Sequence, residues 1–203
     1  MPVEGHKTEN LSLWECLHDG SIEKVRSDLL VRTLTIVVDT PFHREFHKLP
    51  TDTRFEIVGE NVRITEVFEF EPWLDASNPT QDTPWEEAEE RRRSDYEKGR
   101  LISADWNDFT NQIETGEDYE IMSAELETFP PKSVLSLGVM SYPNSNWRNI
   151  KVQAECFRFF VGPRELSLQD FQEFGSKYWD DWASKSKPQE PSTEHTNKEP
   201  ESE

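Results

Sequence analysis

Residues 149–161 read "NIKVQAECFRFFV". Ile150, Val152, Ala154 and Cys156 fall on one face, and Lys151, Gln153 and Glu155 on the other. A period of two is what a half-buried strand requires. Past Cys156 the phase slips: Phe157, Phe159 and Val161 line up, with Arg158 and Phe160 opposite. The slip predicts a bulge or a strand end covered on both sides. Such a ribbon has to be paired, and two strand-like segments, "YEIMSAELE" and "SVLSLGVMSY", come just before it. The breaks "TFPPK" and "PNSNWR" are short enough to join antiparallel neighbours.

The N-terminal half repeats the pattern. "SIEKVRS" and "VRTLTIVVD", the latter with Leu34, Ile36 and Val38 on one face, form a hairpin pair across "SDLL". "RFEIV" and "NVRITEVFEF" follow around Gly59-Glu60-Asn61. In the second, Val62, Ile64, Phe68 and Phe70 share a face with Glu66, which predicts a bulge near Glu66 in preference to a buried carboxylate. "LSLWECL", "TPFHREFHKLP" and "DWNDFTNQIE" read as short helices and "LISADW" as a short strand. Thr83-Pro84 opens a charged helix over 84–98, after a loop at 72–84. Ser167, with Asp170 three residues on, caps a last helix whose Leu168, Phe171, Phe174, Tyr178 and Trp182 form one stripe.

The predicted architecture is α+β: a predominantly antiparallel sheet of about seven strands with a few helices and an aromatic C-terminal helix packed on the sheet. One domain spans 11–185, between a flexible N-terminus (1–10) and a disordered acidic tail (186–203). Apolar residues are only 33% of the chain, but 12 Phe, 7 Trp and 4 Tyr can build a core from few positions.

The net charge is −19, and the last eighteen residues hold five Glu against two Lys, so most of the negative charge belongs to the body. A polyanion repels phosphate backbones, which disfavours nucleic acid and favours a basic protein partner. No leader-like segment and no run long enough to span a bilayer is evident, so no membrane partner is expected. Two cysteines are too few for a disulfide framework, and a cytoplasmic setting is expected.

His18-Asp19-Gly20 is the most motif-like step. Gly20 breaks any helix and a strand follows, so a turn is the expectation, with Gly20 at positive φ. "LHDGSIEKVRSD" followed by "RTLTIVVD" resembles the opening hairpin of small, mostly uncharacterised bacterial β-rich domains. Some related families are regarded as immunity proteins of toxin systems. The resemblance covers about residues 13–40 and carries over no catalytic residue.

His43 and His47 stand four apart in "FHREFH", which is metal-ligand spacing on a helix. The competing expectation is an amphipathic turn that buries Phe42 and Phe46 and exposes both imidazoles. A metal-assisted hydrolase built on His18, Asp19, His43 and His47, with Cys16 nearby, is therefore the alternative function. Cys156 is expected in the core, and neither cysteine lies in a setting that activates a thiol. No nucleophile elbow or phosphate-binding glycine loop occurs. The leading expectation is a non-enzymatic binding module without cofactor, immunity-like, with Trp73, Trp85 and Trp147 as aromatic anchors.

Overall fold

The computed structural model describes residues 9–71, 100–142 and 147–186. The loop at 72–84, the helix at 84–98, Trp73, Trp85 and the tail beyond 186 lie outside them. In chain order the elements are β1 (Glu9–Ser12), α1 (Trp14–Leu17), β2 (Ser21–Asp28), β3 (Thr33–Asp39), α2 (Pro41–Phe46), β4 (Phe55–Glu60) and β5 (Ile64–Glu71). There follow β6 (Arg100–Ala104), α3 (Trp106–Glu114), β7 (Asp118–Phe129), β8 (Lys132–Tyr142), β9 (Trp147–Ala154), β10 (Cys156–Val161), β11 (Arg164–Leu166) and α4 (Leu168–Lys185). Among the described residues all strand pairings are antiparallel, in line with the predominantly antiparallel sheet expected, but the sheet has eleven strands and not about seven. Beyond the seven and the short strand read at "LISADW", now β6, the sheet gains β1, β11 and a separate β10, which leaves the line of β9 at Glu155.

The strand order is β11-β10-β4-β3-β2-β7-β8-β9-β5-β6, with β1 added to β7. β4 and β5 run in succession along β10 and β9, so one bent ribbon links the two halves of this order. Because β3 flanks β4, β8 flanks β9, and β2 meets β7 at Ser21–Glu120, the hydrogen-bonded circuit returns to its start. After Ser21, β2 leaves β7, and α3 packs against β2 and β5 with Phe109 and Ile113 buried.

The ribbon explains both phase anomalies. Between the paired residues Glu60 and Ile64 stand three others (61–63), whereas between their partners Cys156 and Gln153 stand two (154–155), so one extra residue bulges at Asn61, whose φ is +52°. The phase of the β9–β10 segment flips there. Ile150, Val152 and Ala154 are buried before it, Phe159 and Val161 after it. Cys156 falls on the outside and is exposed, which corrects its expected place in the core. The bulge expected at Glu66 is not there either. Val67 pairs with Ile150 and is buried, while Glu66 is exposed and Ile64 is 44% exposed. The apolar face of β9 sets the inward side of β5, and Ile64 and Phe68 are left on the outer one.

α4 begins as expected: Ser167 accepts from the Asp170 N–H, and its hydroxyl donates to the Asp170 carboxylate. Phe171 is fully buried, stacked on Phe159 at 4.9 Å and edge-on to Phe55 at 5.8 Å. Each buried ring of this size stabilises by about 1.5–3 kcal/mol. This contact docks the C-terminal helix on the sheet, as expected, at β4 and β10. Trp182, at the end of the stripe, is 55% exposed.

Candidate functional site

The His-Asp-Gly step is a turn, with a different division of labour from the expected one. Asp19, not Gly20, takes the left-handed conformation (φ +57°), and its carboxylate lies 2.7 Å from His18 Nδ1. Gly20 is needed for space. A Cβ there would sit 2.8 Å from Thr40 Cγ2 and 2.9 Å from both Leu17 O and Val38 Cγ1. His18 packs on Trp14 at 4.4 Å, and Trp14 stacks on Trp179 at 4.9 Å.

α2 presents its imidazoles inward, the reverse of the amphipathic turn expected. His43 is fully buried and His47 half-buried, their rings 6.2 Å apart. His43 Nε2 lies 2.9 Å from Glu15 O, and His47 Nε2 lies 3.0 Å from Phe174 O. A carbonyl only accepts, so both Nε2 atoms carry the proton and donate. The Glu15 carbonyl needs a partner because α1 is too short to supply one, and the Trp179 indole N–H is its second donor at 2.9 Å. Burial pushes the His43 imidazole down to about 4, and His47 is lowered too, chiefly by burial. Among the described residues, no three His, Cys, Asp or Glu side chains come together as metal ligands. Cys16 donates to Phe171 O at 3.0 Å, and burial pushes its thiol up to about 12. Burial and the neighbouring Glu60 also raise Cys156. Neither is a poised nucleophile.

Trp147 is half-buried, because its ring lies over Gly138, where a Cβ would come 2.7 Å from Cζ2. That packing places it in the wall of the sheet. Next to it is a polar network that sequence reasoning missed. Arg148, only 7% exposed, donates to Gln112 Oε1 at 2.5 Å and to the Tyr119 hydroxyl, and pairs with Glu69 at 2.5 Å. Tyr119 donates to the same Gln112 oxygen at 2.7 Å, and burial pushes its phenol up to about 12 against the pull of Arg148. The network ties α3 to β5, β7 and β9. The sequence signal was an arginine in the apolar phase that continues through Ile150 and Val152.

The second missed feature is electrostatic. Between Arg100 and Lys132 the chain carries eight carboxylates and no lysine or arginine. Asp105 caps α3, accepting from the Asn107 and Asp108 N–H groups. Of the others, Asp108, Glu114, Asp118 and Glu125 are exposed, and Glu117, Glu120 and Glu127 half-exposed. None of them forms an ion pair among the described residues. Acidic groups at the C-terminal end of α3 also oppose its dipole, and its last turn holds no base.

No family model, curated protein or solved structure matches this chain.

Proposed function

We propose that this chain is a non-enzymatic binding module whose acidic α3–β7 run receives a basic protein. An immunity-like role against a toxin in the bacterial cytoplasm is the specific form. The observation that carries the reading is the cation-free acidic run from α3 into β7, whose members from Glu114 onward work against the C-terminal end of the helix. Charge kept at a cost to stability is expected where it steers and holds an oppositely charged partner. The resemblance of the opening hairpin to toxin-immunity relatives points the same way. The metal-hydrolase alternative has no comparable support, because His43 and His47 direct their Nε2 donors at backbone carbonyls.

The test pairs binding with stability. Glu114→Lys/Asp118→Lys is expected to weaken capture of the native partner by about tenfold or more, and wild-type capture is expected to fall as salt rises. Glu114→Lys alone is expected to raise stability by about 0.5 kcal/mol, since it puts a cation at the helix C-terminus. Denaturant midpoints thus separate lost binding from lost folding. Retention that ignores salt, or a double variant that binds as well as wild type, rules the proposal out.

A further inference from the structure

The acidic run meets the β2–β3 hairpin at Ser21 through Glu117, Asp118 and Glu120, and the far end of that hairpin has the opposite character. Its turn, Leu29 to Arg32, holds Leu29 88%, Leu30 95% and Val31 60% exposed. The turn has a defined shape. Asp28 Oδ1 accepts from the N–H groups of Leu30 (2.9 Å) and Val31 (3.3 Å), Arg32 takes φ +53°, and Arg32 O accepts from Val62 N–H at 2.9 Å. Three adjacent aliphatic side chains are therefore held out in water by the backbone. One exposed leucine is ordinary, but a contiguous protruding patch marks an interaction site.

Basic side chains accompany the patch: Arg32 in the turn, Arg63 beside it, and Arg26 and Lys24 further back on β2. Lys24, Arg26, Arg32 and Arg63 are all exposed, and none forms an ion pair among the described residues. The nearby carboxylates of Asp28 and Asp105 are engaged by backbone N–H groups.

We propose that this tip docks reversibly on an anionic lipid surface. Leu29, Leu30 and Val31 enter the acyl boundary, and Arg26, Arg32 and Arg63 meet the headgroup phosphates. Two points favour lipid over a folded partner. A knob this exposed has no walls of its own, and a bilayer surrounds it without a preformed socket. Arg26, three residues behind Leu29, trails it by about 10 Å at strand rise, comparable to the depth of a headgroup layer. Glu117 and Asp118, where the acidic run meets Ser21, lie about 24 Å from the tip, beyond two Debye lengths at physiological salt, whereas Asp105 and Asp108 at the start of α3 lie nearer to it. The sequence expectation of no membrane partner rested on the lack of a spanning segment. No helix of the described residues is long and apolar enough to cross a membrane, and peripheral docking needs none.

Vesicle flotation of the full chain tests the proposal, with phosphatidylcholine alone and phosphatidylcholine mixed with phosphatidylserine. Wild type is expected to float with the mixed vesicles, to remain behind with phosphatidylcholine alone, and to be released by salt. Leu29→Ser/Leu30→Ser and Arg26→Gln/Arg32→Gln are each expected to reduce partitioning about tenfold or more. All four side chains are exposed, so unchanged unfolding midpoints will show that the variants fold. Flotation with neither vesicle, equal flotation with both, or variants that float like wild type would overturn the proposal. So would capture of an acidic protein by wild type but not by the serine variant while vesicles are ignored, which would make the tip a protein dock.

Discussion

Acidification from pH 6.5 to about 4 is expected to remove about 3 kcal/mol of stability through His43 alone. Unfolded, the imidazole titrates near its ordinary 6.5. Folded, burial holds it down to about 4. Between these values the unfolded state binds the proton and the folded state does not, so stability is present above 6.5 and is lost as pH falls toward 4. The gap of about 2.5 units converts at about 1.36 kcal/mol each. His47 is shifted in the same direction and adds to the loss. The structural consequence is local, because a charged ring inside the α1–α2–α4 junction loosens the contact between α2 and α4. Urea midpoints across this range, compared between wild type and His43→Gln, check the expectation. The comparison is needed because the many carboxylates also titrate below pH 5. Parallel curves for the two proteins would show that His43 is not the group responsible.

That His43 is buried was not legible in the sequence, and the reason is physical. In "FHREFH" the two phenylalanines look like the inward pair, since hydropathy ranks Phe above His. The deciding factor is the orphaned carbonyl of Glu15, left by a helix of four residues that is far away in the sequence. A ring donor satisfies it and a phenyl ring does not. The same logic holds for β5. Ile64 and Phe68 suggest an inward face, but Ile150 and Val152 on β9 determine which side is inward. Local patterns were reliable where partner and pattern agreed: the β2–β3 hairpin, the Ser167 cap, and the phase slip beside Cys156. They failed where a partner strand or a distant carbonyl outranked them. The acidic run and the Leu29–Val31 tip were visible as residues, but that β2 leads from the Glu117–Glu120 part of the one to the other was not.

Gly175→Ala is expected to destabilise by about 3 kcal/mol, although alanine is the better helix former by about 1 kcal/mol. Gly175 lies where α4 crosses α1. A Cβ there would sit 2.7 Å from Cys16 Sγ, 2.8 Å from Cys16 N and 2.8 Å from the Glu15 carbonyl carbon. Two of these atoms are backbone, so a rotamer change cannot make room and α1 has to lift. Lifting it withdraws Glu15 O from both His43 and Trp179, and the Cys16 thiol from Phe171 O. The variant should therefore unfold at lower denaturant. Its His43 resonance should also titrate closer to the ordinary 6.5, since the imidazole gains water as the junction opens. Cys16→Ala/Gly175→Ala separates the two contacts. Removing the sulfur relieves one close approach and leaves the two backbone ones, so most of the loss should persist. Full recovery in the double variant would show that sulfur alone sets the spacing. A gain in stability for Gly175→Ala would show that α1 does not rest on α4 as closely as the geometry requires, and that His43 owes its burial to something else.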